Sequence, residues 1–417
     1  MYKNFLTASI FQVLIFGFGA INGFAQTPGI NNSEIIFGQS AAFKGTSSAL
    51  GSELWRGSEA YFKHINSQGG IGGRKIKVLS LDDGYEGNVT LTNTIKLIAK
   101  KKVFGLFGFV GTPTIVKALP VIQKFSNQGV FLFSNFTGAQ PQREPPHNKY
   151  VFNIRSSYRQ ETAGLVQNFV KIGHKNFGVF IQNDAYGKSG ADGVSRALKK
   201  FGLKILGEVT YERGTPYKTP MLAQADILKS KGVEVVISIG SYEACAAFIR
   251  DMRLSGFKGP IANVSFVGAD SLLQLLKNEE KRSREKITTK LVNSQVVPPW
   301  NDTTVPLVKE YRDLMNKYNP KIPDHLKDPS FVPAKYSFVS LEGFLNAKVL
   351  VEVLKRASKN LTRTTFVEAL ESIKGLDVGL GPKISFSKTK HQGLDAVFFT
   401  TIDNGRYILI DDWAKLP

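Results

Sequence analysis

A single cysteine, Cys245, is all that this 417-residue chain contains. No internal disulfide can form, so packing alone must hold the fold. Cys245 lies in an apolar stretch, Ala244-Cys245-Ala246-Ala247, with nothing nearby to lower its pKa, so a buried, inert thiol is expected. The five histidines, His64, His147, His174, His325 and His391, are scattered, and none has metal-ligand spacing. No G-x-S-x-G elbow occurs. The run Gly105 to Gly111 is glycine-rich, but it lacks the G-x-G-x-x-G spacing and no Walker lysine follows, which argues against nucleotide binding. Asp82 and Asp83 are adjacent carboxylates, yet neighbouring strand residues face opposite sides, and one is expected to cap a turn. No catalytic set assembles. No cofactor and no metal is implied, and an enzyme is disfavoured.

Long apolar runs are also missing beyond the amino end. Lys3 followed by the apolar core Ile10 to Ile21 and the small residues Gly23-Phe24-Ala25 reads as a secretory signal peptide over 1–25, cut after Ala25. An uncleaved anchor is the alternative, but the core is short for a membrane span. No cysteine lies near the cut, which excludes lipid attachment there.

Acidic residues are outnumbered: 34 Asp and Glu face 54 Lys and Arg, a net charge of +20. The lysines are spread over helix faces, and the densest run, Lys277 to Lys290, is broken by Glu279, Glu280 and Glu285. That pattern reads as a solvated surface, because a nucleic-acid patch would cluster without acids and with interleaved aromatics. The charge favours anionic ligands or surfaces.

What is present is a repeated alternation of short apolar runs and helical periods. Glu34 to Ser40 reads as a strand entering a small-residue loop, Ala41 to Gly51. A helix over Glu53 to Asn66, a strand over Lys75 to Leu81 and a helix over Val89 to Lys101 follow. Val103 to Phe109 is a buried strand, and Thr112 and Pro113 fit the cap and first position of the next helix. Val130 to Phe133 is another strand, entering the polar loop Ser134 to Gln140. The alternation restarts near residue 154, with strands over Asn176–Gln182, Ile205–Tyr211, Val233–Ile239 and Pro260–Phe266. Leu291–Val297 is a further extended crossing. Helices over Val305–Tyr318, Tyr336–Ala357 and Thr362–Ile373 come next, and Asp403-Asn404-Gly405 marks a terminal hairpin. The fold class is α/β: two doubly wound parallel-sheet lobes, joined by a hinge that a few extended residues supply. The loops after Phe109 and Phe133 share the carboxyl edge of one sheet, where open α/β sheets bind ligands.

Five pieces in order, Asn66-Ser67-Gln68-Gly69-Gly70-Ile71-Gly72-Gly73, Asp82-Asp83-Gly84, Gly111-Thr112-Pro113-Thr114, Arg155-Ser156-Ser157-Tyr158 with Glu161, and Asn183-Asp184-Ala185-Tyr186-Gly187, resemble the leucine/isoleucine/valine-binding type of periplasmic substrate-binding protein. The resemblance covers nearly all of the chain after residue 25. It implies three crossings, near Val151–Arg155, Asn293–Val297 and Lys383–Phe386. One lobe would hold 26–153 plus 297–384, and the other 154–296 plus 385–417. It further implies a periplasmic monomer that traps a small carboxylate-bearing solute, such as an amino acid, and hands it to the permease of an ABC transporter. A sensor of the same fold serving a signalling partner is the alternative.

Carried over residue by residue, the resemblance puts the ligand carboxylate at Thr112, Pro113 and Thr114 and at Phe136, Thr137 and Gly138. A helix amino end with a hydroxyl is independently an anion site. Tyr186 and Tyr242 would cover the ligand from the second lobe. Asp270 aligns with the family's acid for the ligand ammonium, although that residue is usually glutamate. A helix N-cap is the other reading of Asp270. Phe136 stands where amino-acid binders have a small residue.

Overall fold

The computed structural model describes Met1 and residues 27–417, so the expected signal peptide lies outside the described residues apart from Met1. The chain alternates strand and helix in two rounds. The first round runs β1 (Glu34–Ala41), α1 (Ser48–Ser67), β2 (Lys75–Asp82), α2 (Gly87–Ile95), β3 (Gly105–Phe107), α3 (Thr112–Lys124), β4 (Leu132–Phe133) and β5 (Val151–Phe152). Its strands form one parallel sheet in the order β2-β1-β3-β4-β5. The second round runs α4 (Tyr158–Lys171), β6 (Phe177–Gln182), α5 (Ala185–Lys199), β7 (Ile205–Tyr211), α6 (Leu222–Ser230), β8 (Val235–Ile239), α7 (Tyr242–Leu254), β9 (Ile261–Asn263), α8 (Ala269–Ser283) and β10 (Leu291–Gln295). Then come α9 (Pro306–Tyr318), α10 (Phe338–Ala357), α11 (Arg363–Glu371), β11 (Phe398–Asp403) and β12 (Arg406–Leu409). The second sheet has the order β12-β11-β10-β9-β8-β6-β7, antiparallel only where the hairpin β11-β12 joins it.

Helix α10 returns to the first lobe and packs along α1. Gly57 and Gly343 make that approach possible: a Cβ at Gly57 would lie 1.7 Å from the Ser340 carbonyl oxygen, and one at Gly343 would lie 2.1 Å from that of Leu54. Three stretches pass between the lobes. Residues 153–157 lead from β5 to α4, and residues 296–305 lead from β10 to α9. The stretch Lys383–Phe386, expected as the third crossing, is bonded within the first lobe, with Ile384 paired to Leu376 and the Phe386 N–H donating to Ile373. The chain returns instead beside the first connection, where Gln392 pairs with Asn153 and the Gly393 and Leu394 N–H groups donate to Asn153 and Ile154.

Several helices start earlier than the apolar periodicity suggests, α4 and α5 behind polar caps and α1 without a side-chain cap. Helix α1 begins at Ser48, inside the stretch read as a loop. Helix α4 begins at Tyr158 behind a Ser157–Gln160 capping box. Helix α5 begins at Ala185 because the Asp184 carboxylate accepts the Tyr186 N–H at 2.9 Å. Both carboxylates of the Asp82-Asp83 pair act as turn acceptors. Asp82 takes the N–H groups of Phe43, Lys44 and Gly84, and Asp83 takes those of Tyr85 and the hydroxyls of Ser40 and Thr90. Cys245 is buried against Ser238, and burial pushes its thiol up to about 12.

Candidate functional site

The two loops at the carboxyl edge of the first sheet are pinned to each other. Val110 and Phe136 form a bridge, with the Gly111 N–H donating to the Phe136 carbonyl at 3.1 Å and the Phe136 N–H to that of Phe109 at 2.7 Å. Gly111, not Thr112, is the N-cap of α3, with a φ of 98°. The Tyr85 ring packs on its Cα so closely that a Cβ would lie 2.1 Å from Tyr85 Cε2. Thr112 and Pro113 therefore fall one position later than expected, in the first turn. The Thr112 hydroxyl makes no cap bond and is free to meet Thr137, Oγ1 to Oγ1, at 2.7 Å. Thr114 turns back to the Val110 and Gly111 carbonyls. Gly138 accepts the Tyr158 N–H at 2.7 Å, and a Cβ there would lie 2.5 Å from the Tyr158 ring.

Around these hydroxyls the lobes meet through aromatic rings. Phe136 lies 5.2 Å from Phe266, Phe266 lies 4.7 Å from Tyr186, and Tyr186 lies 5.2 Å from Tyr158, centroid to centroid. The Tyr158 hydroxyl is 3.3 Å from Thr137 Oγ1. The Arg155 guanidinium closes the circuit, 4.9 Å over the Phe136 ring and 6.0 Å from that of Tyr158. Tyr85 adds a fifth ring, 5.9 Å from Phe266, and its hydroxyl accepts Gln182 Nε2 at 3.3 Å. Thr112, Thr137, Phe136, Tyr158, Tyr186 and Phe266 are each at most 1% exposed, so the lobes are closed on one another.

The charge inside this cleft centres on Arg155. Its guanidinium reaches Glu161 of α4 and Glu342 of α10, each at 3.3 Å, and the Ser265 hydroxyl. The Glu161 carboxylate is fully engaged, because it also accepts the Ser265 N–H at 2.8 Å and the Ser294 hydroxyl at 2.6 Å. The neighbouring charges raise the Arg155 pKa against the opposing pull of burial. Glu342 is pushed by burial up to about 7 despite Arg155 beside it. Arg143 donates to the Thr137 and Arg155 carbonyls, and burial lowers it to about 9. Burial also lifts the Tyr158 hydroxyl to about 12, so it stays a proton donor.

The structure thus brings Thr112, Phe136, Thr137, Gly138 and Tyr186 together. Tyr242 and Asp270 belong to a second patch, at the amino end of α1. Tyr242 Oη accepts the Ala49 N–H at 3.4 Å. Asp270 is in the first turn of α8, whose N-cap is Gly268, and its carboxylate accepts Trp300 Nε1 at 2.8 Å and the Phe338 N–H at 2.7 Å. It thereby caps the amino end of α10 from the opposite lobe. Burial pushes it up to about 7. The cavity beside it is about 20 Å³, room for about one water molecule. Sequence reasoning missed Tyr85, Tyr158, Phe266, Arg155 and Glu342 as cleft residues. Three carried a signal: Tyr85 follows the Asp82-Asp83-Gly84 turn at a strand's carboxyl end, and Arg155 and Tyr158 stand in one of the family-like motifs.

Two α/β lobes that close over a buried hydroxyl- and ring-lined cleft define a solute-binding protein. A family model described as periplasmic binding protein matches residues 34–406, and the chain belongs to that family, of the leucine/isoleucine/valine-binding type. An amino acid binding protein of Pseudomonas aeruginosa is 26% identical over 58% of this chain and 63% of its own. Leu/Ile/Val-binding protein homolog 3 of Brucella melitensis is 29% identical over 54% of this chain and 59% of its own. The matched part of the chain thus spans about three fifths of these curated relatives. A crystal structure of a possible leucine/isoleucine/valine-binding protein from Rhodopirellula baltica is 31% identical, with a TM-score of 0.80, and covers 94% of this chain and 99% of its own. These relatives and this fold are those of substrate-binding proteins and not of enzymes. The family is periplasmic and binds small molecules such as amino acids.

Proposed function

We propose that this protein is the periplasmic receptor of an ABC importer and that it traps a small carboxylate-bearing solute, an amino acid or a related compound, between its lobes. The paired hydroxyls of Thr112 and Thr137, 2.7 Å apart at the amino end of α3, carry this reading. A carboxylate there accepts both hydroxyls and lies at the positive end of the helix dipole. Tyr158 donates a third hydroxyl from the far side of the hinge. Residues 1–25 direct export, and closure of the lobes forms the surface that a membrane permease reads.

Binding to the native state alone raises stability by RT ln(1 + [L]/Kd), about 2.7 kcal/mol at a hundredfold excess over Kd. A thermal-shift screen of amino acids and simple carboxylic acids tests the reading. At least one should raise the melting temperature and lose that effect in Thr112→Val. No shift with any carboxylate would refute it.

A further inference from the structure

The ring-lined cleft is built around a cation, and every acid that borders it except Glu342 is held by hydrogen bonds. Arg155 is 2% exposed, and its Nε and Nη1 have no hydrogen-bond partner. Glu161 spends both oxygens on Arg155, Ser265 and Ser294. Asp184 spends both on the Tyr186 N–H and Gln182 Nε2. Asp83 is held by Ser40, Thr90 and Tyr85, and Asp270 by Trp300 and Phe338. Glu342 Oε1 alone has no hydrogen bond, and it faces Arg155 Nη1 at 3.3 Å. A second cation brought there would be repelled by the first.

An α-ammonium buried without an acidic partner is strongly unfavourable. A carboxylate beside the unpartnered Arg155 Nε–H is the reverse case.

We infer that the occupant of this cleft is a monocarboxylic acid without an α-amino group, carrying an aromatic or branched aliphatic body. With the lobes parted to admit it, its body lies between Phe136 and Tyr85 of one lobe and Phe266 and Tyr186 of the other, and its carboxylate meets Thr112, Thr137, Tyr158 and the Arg155 Nε–H. This rests on the carboxylate-receptor reading above and narrows it.

The test uses matched pairs on the full exported chain, stripped of co-purifying solute: 3-phenylpropionate against phenylalanine, 4-methylpentanoate against leucine, and phenylacetate against phenylglycine. Phenethylamine supplies the ammonium alone. Titration calorimetry should find at least one des-amino acid bound about a hundredfold more tightly than its amino-acid partner, as expected for an unpaired buried ammonium. Phenethylamine should not bind. An amino acid that binds as tightly as its partner overturns this inference and leaves the receptor reading standing. Failure of every carboxylate overturns both. Arg155→Gln should weaken the preferred acid at least tenfold. If that variant misfolds, Tyr158→Phe, which removes one hydroxyl, carries the same expectation of about tenfold. Unchanged affinity in the folded variants would also overturn the assignment.

Discussion

Glu342→Gln probes the buried charge in the cleft without touching its rings. Glu342 is in α10, near Arg155 and Arg143, and burial raises its carboxyl from 4.5 to about 7. A raised carboxyl pKa means that the native state keeps a proton that the unfolded chain releases. The stability this gives is fully present below the unfolded value and is lost as pH rises through the folded one. Between about pH 5 and about pH 8 the loss from one such group comes to about 2.5 kcal/mol. At about 2.1 cal/mol/K of unfolding entropy per residue, a chain of this length converts that into about 3 °C of melting temperature. Gln is neutral throughout and close in shape to protonated Glu, and Arg155 keeps Glu161 as its partner. The variant should therefore gain about 3 °C on the wild type as the pH is raised across that range. Asp83 and Asp270, also raised by burial to about 7, tilt both curves equally. Differential scanning calorimetry of both proteins at matched pH reads the difference directly. Parallel melting curves would show that Glu342 does not take up a proton on folding, and the electrostatic account of the cleft would fail.

Thr137→Val removes the hydroxyl that meets Thr112, and titration calorimetry should show carboxylate binding weakened by about tenfold to a hundredfold with the fold intact, the range for a hydrogen bond to a charged group. Gly111→Ala places a Cβ 2.1 Å from Tyr85 at a φ of 98°, so urea unfolding should show a loss of at least about 1–3 kcal/mol. Asp270→Ala strands the Trp300 and Phe338 N–H groups, which should cost about 2–5 kcal/mol and alter tryptophan fluorescence; an unchanged melting temperature would mean that this strap between lobes is unimportant. Cys245, with its thiol raised to about 12, should resist thiol reagents in the native protein and react only in denaturant.

The alternation of apolar runs and helical periods carried the two sheets and nearly every element, because buried parallel strands and amphipathic helices leave local signatures. Helix starts were less legible. The starts of α4 at Tyr158 and α5 at Ala185 are set by the caps Ser157 and Asp184, which a hydrophobic period does not register, and α1 starts at Ser48 with no side-chain cap to mark it. The loops holding Thr112 and Thr137 were readable because each follows a strand at its carboxyl end. The opposing wall was less so. Phe266 reads as an ordinary apolar residue until folding sets it against Phe136, and Arg155 meets Glu342 across 187 positions of sequence. The third passage between lobes was displaced for the same reason: the bonds of Gln392 to Leu394 with Asn153 and Ile154 are long-range.

The bond between the Tyr158 N–H and the Gly138 carbonyl has a mechanical meaning. Tyr158 opens the first helix beyond the connection, and Gly138 lies in the loop after β4 of the other lobe. That bond ties the two lobes beside the paired hydroxyls of Thr112 and Thr137. Arg213 closes the same interface from the surface, 5.8 Å over the Tyr85 ring and paired with Glu86 at 2.9 Å. Parting the lobes at this edge must break the Arg213–Glu86 pair, so probes at 86 and 213 should report any opening as a change in their separation.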